Sequence, residues 1–389
     1  TDHHELPQDK QREILLPDAL AIVHPHRLPD DHPLATLPGV GVAYKLAEAL
    51  LSSPAMGGIR GEESTPKTVR RESLTEAKDT TALLDLVALG IVVDVATLAG
   101  DTRYLLQRGL EVLRRTERLG LQAMFKLADI NPAQLNETTI GFGLGPRLNS
   151  LGRLADANLS VEFLTTRDPG RAQVLAARLE GLNMERRRMT EVVLKAAQRQ
   201  IEDQPELLEY DALVLAHPHW PAGVIGLVAN RLAERYHKPT VLIATPPDKP
   251  GHASARSIEG VDITAAIATT ADLLLRFGGH TMAAGFAIEP SHIPLFRKRL
   301  SQAVRAQIGK EAIRPPLQID AYLPLEALTL DLVDDLERLA PFGPGNPALT
   351  LATRDLHVAA QRTLGRGEKH LRVTVEDATG HTQDIYWWQ

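Results

Sequence analysis

The longest helical pattern in the chain does most to limit its architecture. Asp168-Pro169 places a capping side chain and a φ-fixed proline at a helix start. Leu175, Leu179, Leu182, Met189, Val193 and Ala196 then recur in three- and four-residue steps before Pro205. The spacing predicts one helix from about 169 to 202, and a helix of that length most often joins two compact regions. Arg186-Arg187-Arg188 and Lys195 ride on it, either as a solvated face or as the flank of a nucleic-acid groove. The chain's 389 residues leave room for about two to four domains.

Beyond this helix, residues 211–308 read as an α/β unit. Ala212–Ala216, Thr240–Ala244, Ala253–Ile258 and Ala284–Ile288 are expected strands. Gly223–Tyr236, a stretch from Asp262 to about Phe277, and Pro294–Ile308 are expected helices. After Pro315-Pro316 the pattern changes to short strands over Gln318–Leu323, Leu349–Thr353, Leu356–Arg362, Leu371–Val375 and Gln383–Trp388, which suggests a small barrel or sandwich. Before the long helix, Ala19–His24 reads as a buried strand and Val40–Leu51 as a helix. Residues from about Ser52 to Lys78 lack an apolar period and read as a mobile surface insertion.

Composition removes whole classes of function. The absence of cysteine excludes disulfides, zinc ribbons and thiol catalysis, and fits a cytoplasmic location. No apolar run approaches the length of a membrane span. The net charge of −6 means that any nucleic-acid binding must come from local patches. No P-loop occurs, and Gly141-Phe142-Gly143-Leu144-Gly145 has the wrong spacing for a dinucleotide fingerprint.

Four groups of residues could do chemistry. Asp2-His3-His4 at the start, with Asp94 in an otherwise apolar Ile91–Val95 stretch, has the mixed imidazole and carboxylate character of a site for Mn²⁺, Mg²⁺ or Zn²⁺. Asp85 reads as a helix-surface residue, and Asp94 as either a ligand or a buried hydrogen-bonded carboxylate. Arg147, Asn149 and Arg153 crowd guanidinium and amide donors into one short segment, as phosphate binding requires, or else mark a turn with surface arginines. Ser254-Ala255-Arg256-Ser257 on a strand would send Ser254 and Arg256 to one face. Gly278-Gly279-His280 offers close backbone approach and an imidazole donor, or a helix cap.

These groups, in this order, with Gly39–Ala43, Leu86–Val95, Pro146–Leu154, Leu182–Arg187, Gly223–Leu232 and Pro341–Pro347, resemble the RecJ family of single-strand-specific 5′→3′ DNA exonucleases in the DHH phosphoesterase superfamily. The resemblance implies a multidomain α/β chain. Its parts would be the latter part of a DHH domain (1–155), a connecting helix region (156–206), a DHHA1 domain (207–312) and an OB-type β-barrel (313–389), complete or truncated. It implies two-metal phosphodiester hydrolysis with Mn²⁺ or Mg²⁺, in DNA repair and recombination. Carried over by position, His3, Asp94 and Asp2 are metal ligands, and His4 and His280 contact phosphate at the reacting end. Arg147, Asn149, Arg153, Ser254, Arg256, Ser257 and Gly279 form the 5′-phosphate clamp. Arg362, Arg366, Lys369 and Trp387, with Trp388, are barrel contacts to single strand, although a buried tryptophan core is the other reading of the two indoles.

The expected partners are single-stranded DNA with a 5′ end, a single-strand-binding protein and a helicase; the chain is expected to be a monomer with no membrane partner. The family's first acidic motifs precede Thr1, so the chain is expected to be part of a longer protein and, alone, to bind without cleaving. Pro221-Ala222-Gly223-Val224 replaces the family's His-Pro-Gly-Val. A non-catalytic single-strand-binding scaffold and an oligonucleotide or cyclic-dinucleotide phosphodiesterase are the alternatives.

Overall fold

A computed structural model describes residues 14, 16–29, 31–52, 80–154, 156, 158–309, 317–365 and 367–388. The expected insertion after Ser52 and the Asp2-His3-His4 group lie outside these residues. The chain divides into two compact units: Thr1–Glu117 with Asp129–Gly145 and Leu317–Gln389, and Arg118–Ala128 with Pro146–Pro316. No helix among the described residues is long and apolar enough to cross a membrane.

In the first unit, α1 (Gly39–Ser52), α2 (Leu84–Val93) and α3 (Gly100–Leu113) pack through Val42, Val87, Ala88, Ile91, Leu106 and Leu110. Gly109 allows α3 to lie against α2, because a Cβ there would sit 2.5 Å from the Leu84 carbonyl oxygen. Two expectations fail in this region. Ala19–His24 forms no strand, and Leu20 and Val23 are exposed. A strand needs a hydrogen-bonding neighbour, and among the described residues none lies alongside this run. The burial of the two acids is also reversed. Asp85, in the first turn of α2, is 2% exposed, whereas Asp94 is the exposed C-cap of α2. Asp85 tolerates burial because its carboxylate accepts hydrogen bonds from Thr116 Oγ1 (2.7 Å) and from the Leu86 amide (2.7 Å).

The second unit is built on α4 (Leu119–Leu127), α5 (Gly145–Leu154, of which Gly145 belongs to the first unit), α6 (Asn158–Thr165) and α7 (Pro169–Asp203). The capping prediction for α7 holds: the Asp168 carboxylate accepts from the amides of Gly170 and Arg171, satisfying donors that have no partner within the helix.

The α/β part then runs β1 (Leu213–His217), α8 (Ala222–Tyr236), β2 (Thr240–Ala244), β3 (Gly251–Arg256), α9 (Ile263–Ala268), β4 (Leu274–His280), β5 (Ala283–Ile288) and α10 (Ile293–Ile308). The sheet order is β1-β2-β3-β5-β4; only β1 and β2 are parallel to each other. Strand alternation sends Val241, Ile243, Ala255, Ala284, Phe286 and Ile288 to one face. There they pack with Ile263, Ile267, Phe296 and Leu300 of α9 and α10. Leu213, Leu215, Leu242 and Ala244 face the other way, onto α7 and α8. Burying one such large side chain contributes about 1.5–3 kcal/mol.

The expected helix from Asp262 to Phe277 is the main error in this part. α9 ends at Ala268, and β4 begins six residues later. Thr269 and Thr270 stop it, each hydroxyl donating to the carbonyl three residues back.

At the C-terminal end, β6 (Ala321–Tyr322) pairs in parallel with β7 (Leu351–Ala352), and α11 (Leu330–Glu337), absent from the sequence reading, lies between them. β8 (His357–Leu364), β9 (His370–Glu376) and β10 (Thr382–Trp387) form an antiparallel sheet. The Pro341–Pro347 segment is tied to the loop after α2. Pro344 O accepts from the Leu98 amide (2.6 Å), and Gly345, at φ +81°, lies where a Cβ would meet Thr97 Cγ2 at 2.7 Å.

Candidate nucleic-acid interface

α5 sorts its polar residues onto two sides. Arg147 and Ser150 turn inward: the Arg147 Nε donates to Glu180 (2.5 Å), and Ser150 Oγ donates to the Arg147 carbonyl. Asn149 and Arg153, four residues apart, share the exposed side. Arg147 is thus engaged in a poorly exposed ion pair, apart from Asn149 and Arg153.

The exposed side of α5 meets the N-terminal turn of α8. Arg153 Nη1 donates to the Gly223 carbonyl (3.2 Å), and a Cβ on Gly223 would sit 2.7 Å from the Arg153 carbonyl oxygen. One turn on, a Cβ on Gly226 would meet Ser254 Oγ at 2.8 Å and Arg256 Nη2 at 2.9 Å. Gly223 thus leaves room for the Arg153 backbone and Gly226 for the Arg256 guanidinium, beside a helix N-terminus where amide donors and the helix dipole favour an anion. Ser254 and Arg256 do share a face of β3, and Arg256 Nη1 donates to Ser254 Oγ (3.0 Å) and to the Ala255 carbonyl (2.7 Å). Burial, and then the nearby Arg153 charge, push the Arg256 pKa below the ordinary arginine value. A guanidinium stays protonated regardless, so an arriving anion would relieve that cost.

Sheet register extends the same surface. Arg256 and His280 both pair with Ala283, and Ser254 and Gly278 both pair with Gly285. Directly opposed residues point to one face. Ala283, Gly285 and Gly278 therefore make a low floor between Ser254 and Arg256 on one side and the exposed His280 on the other. His252 and Arg276, both opposite Ala287, add two more basic groups to this face, and the sequence reading missed them because only register reveals them. The Gly278-Gly279 pair is no helix cap. It lies within β4, where a Cβ on Gly279 would fall 2.4 Å from the Ala283 carbonyl oxygen. Ser257 does not join the group: its buried hydroxyl donates to the Val261 carbonyl (2.7 Å).

Within the first unit, Asp94 is exposed at the end of α2, while His3, His4 and Asp2 lie outside the described residues. Among the described residues no three His, Asp or Glu side chains come together as a metal site. One carboxylate does not satisfy a hard divalent cation that takes six or more oxygen ligands. The described residues alone therefore do not make a metal site.

In the C-terminal sheet, Arg362 pairs with Arg372, and Arg372 with Tyr386, so these residues share a face with His370 and Trp388. Trp388 stacks on Tyr386 (5.6 Å between centroids) and meets His370 edge-on (5.2 Å). Trp387 belongs to the opposite face, opposed to Leu371. Both indoles are about two-thirds exposed, which overturns the buried-core reading. Lys369 is exposed in the β8–β9 turn, and Arg366 lies outside the described residues.

A basic strand face on a five-stranded sheet, followed by a small β domain, defines the class. Residues 209–306 match the model of the DHHA1 domain and residues 319–389 that of the RecJ OB domain. The chain is similar to RecJ proteins along nearly its whole length. It is 34% identical over 378 residues to the single-stranded-DNA-specific exonuclease RecJ of Bacillus subtilis (strain 168), covering 97% of this chain and 44% of that protein. It is 34% identical over 388 residues to the protein of that name in Salmonella typhimurium, covering 98% and 64%. Among solved structures, RecJ of Thermus thermophilus in complex with Mn²⁺ superposes with a TM-score of 0.78 at 27% identity, covering 100% of this chain and 52% of that one. An exonuclease RecJ bound to manganese gives 0.59 at 29% identity, covering 78% and 68%. The chain thus spans about half to two-thirds of the length of these relatives.

Proposed function

We propose that this chain is part of a single-strand-specific 5′→3′ DNA exonuclease acting in DNA repair and recombination. The observation that carries the reading is the pair of guanidinium groups, Arg153 and Arg256, held beside the first turn of α8 with no carboxylate partner among the described residues. Such a group fits a phosphate dianion better than any neutral ligand, because bidentate guanidinium contacts and helix amides both favour a doubly charged tetrahedral anion. A phosphate of that charge is found at a strand end and not at an internal phosphodiester. The clamp therefore reads a terminus, with Asn149 and Ser254 as neutral donors and His280 at the far edge of the small-residue floor. The names of the relatives supply the polymer: single-stranded DNA.

On this reading Asp94, with His3 and Asp2, belongs to a site for Mn²⁺ or Mg²⁺, and His4 lies at the scissile phosphate. The metals would activate water and stabilise the departing oxygen when bound. The aromatic and basic face of the C-terminal sheet holds single strand downstream by stacking and by charge. The enzyme works as a cytoplasmic monomer beside a single-strand-binding protein and a helicase.

The test uses the natural full-length protein and a single-stranded oligonucleotide labelled at its 3′ end, with Mn²⁺. Stepwise shortening from the unlabelled 5′ end is expected. Loss of nucleotides from the labelled end, or cleavage of duplex at an equal rate, would overturn the proposal.

A further inference from the structure

Several arginines of the second unit are held by carboxylates. Arg147 is paired with Glu180, Arg188 with Glu185 and Arg231 with Glu191. Arg153, Arg186 and Arg256 have no carboxylate partner among the described residues. For Arg153 and Arg256 the proposed end-binding role accounts for this. Nothing so far accounts for Arg186, in the middle of α7.

Its surroundings are unusual. Asn183, one turn earlier, is fully buried, and its Oδ1 accepts from Arg186 Nη2 at 2.9 Å. Asn183 Nδ2 and Arg186 Nε are both buried without a hydrogen-bond partner among the described residues. A buried amide thus fixes one edge of the guanidinium while donors on both side chains remain unsatisfied. Arg186 itself is only half-buried, so the rest of its guanidinium is open to an anion, and a cation held in place without a carboxylate favours one. The charges nearby agree. Burial, and then Arg187, Arg153 and Arg231, lower the Arg186 pKa, and no acid appears among the causes. For Arg256 the one such neighbour is Arg153. Arg153 is therefore a charge neighbour of both Arg256 and Arg186.

We propose that Arg186, oriented by Asn183, binds a second phosphate of the same strand, the first phosphodiester behind the 5′-terminal phosphate. The inference rests on the end-binding reading above and deepens it. The clamp then engages a dinucleotide unit, and Arg186 is a positioning residue that sets the direction in which the strand leaves the terminal pocket.

The test compares two ligands on the chain and its variants: thymidine 5′-monophosphate, which carries the terminal phosphate alone, and 5′-phosphorylated tetrathymidylate, which carries diester phosphates as well. Arg186→Ala is expected to leave the mononucleotide affinity within about twofold and to weaken the tetranucleotide about tenfold or more, with a shallower salt dependence. Arg256→Ala is expected to weaken both. Arg186→Lys, which keeps the charge and loses the planar fork, should recover part of the tetranucleotide affinity. It also serves as the folded control if the alanine variant melts early.

Equal effects of Arg186→Ala on both ligands, or none on either, would overturn the inference. If wild type prefers the 5′-phosphorylated tetranucleotide and Arg256→Ala removes that preference while Arg186→Ala and Arg186→Lys match wild type, this inference alone fails. If wild type shows no preference for a 5′-phosphate over a 5′-hydroxyl, the end-binding reading fails and takes the inference with it.

Discussion

Gly226→Ala separates stability from ligand binding in one substitution. Gly226 is buried within α8, where alanine is the better helix former by up to about 1 kcal/mol. The added methyl would sit 2.8 Å from Ser254 Oγ and 2.9 Å from Arg256 Nη2, both closer than ordinary van der Waals contact. Of the two neighbours the guanidinium yields more easily, because it ends a long side chain, whereas Ser254 Oγ is one bond from Cβ on the β3 backbone. Arg256 therefore swings away, and its hydrogen bond to Ser254 Oγ, 3.0 Å in the native fold, is lost. Hydrogen bonds to charged groups contribute about 1.5–3 kcal/mol. Losing one such contact to a phosphate should weaken binding of a 5′-phosphorylated single strand roughly 10- to 150-fold. Thermal melting should fall only slightly, because the gain in helix propensity offsets part of the lost hydrogen bond. Fluorescence anisotropy with a labelled oligonucleotide reads the first effect and circular dichroism the second. Unchanged affinity together with an unchanged melting temperature would refute the reasoning, since a displaced Arg256 would then not matter to the ligand.

Other perturbations give equally definite outcomes. Asp85→Ala removes the acceptor for Thr116 Oγ1 and the Leu86 amide in the core of the first unit, and should cost about 1–3 kcal/mol in chemical denaturation. Asp168→Ala removes the cap of α7, costing about 1 kcal/mol, with binding of single strand unaffected. Glu180→Ala strips Arg147 of its ion-pair partner and should lower the melting temperature without lowering the affinity for single strand, because Arg147 faces away from Asn149 and Arg153.

The C-terminal sheet should be acid-sensitive. Hydrogen bonds from Arg372, and then Thr374, hold the Asp384 carboxyl below the usual aspartate range. A depressed carboxylate stabilises the fold above the unfolded-state value near about 4, and that stabilisation is lost as pH falls through the folded value. Tryptophan fluorescence should report weakening below about pH 4, and Asp384→Asn should flatten that dependence.

Much of this architecture could be read from residue order, because local signals and tertiary packing agreed. Asp168-Pro169 marks the start of α7, and short apolar runs mark β1, β2 and β5 almost to the residue. The failures share a cause: apolar runs without a clear period do not say which element they form. Ala19–His24 reads as a strand but pairs with no strand among the described residues, and Leu274–Phe277 reads as the end of a helix but pairs with β5. The nearly continuous apolar stretch around α2 likewise hid which carboxylate was buried, since only the contact with Thr116, distant in sequence, decides it.

Within the candidate site, residue types were legible and partners were not. Arg147 and Arg153 look alike in sequence, yet one is engaged by Glu180 and the other lies against Gly223. Gly223 and Gly226 carried no signal of their own, because their importance lies in what approaches them. The alignment of Arg256, Ala283 and His280 across the sheet depends on register, which no single strand encodes.

The account depends above all on Arg153 and Arg256 recognising the end of a strand. Equilibrium binding of two single strands of identical sequence, one with a 5′-phosphate and one with a 5′-hydroxyl, tests this directly in wild type and in the Arg153→Ala, Arg256→Ala double variant. The phosphorylated strand should bind wild type at least about tenfold more tightly, and the double variant should bind both strands alike. Equal binding of the two strands by wild type, or a preference that survives loss of both guanidinium groups, would contradict it.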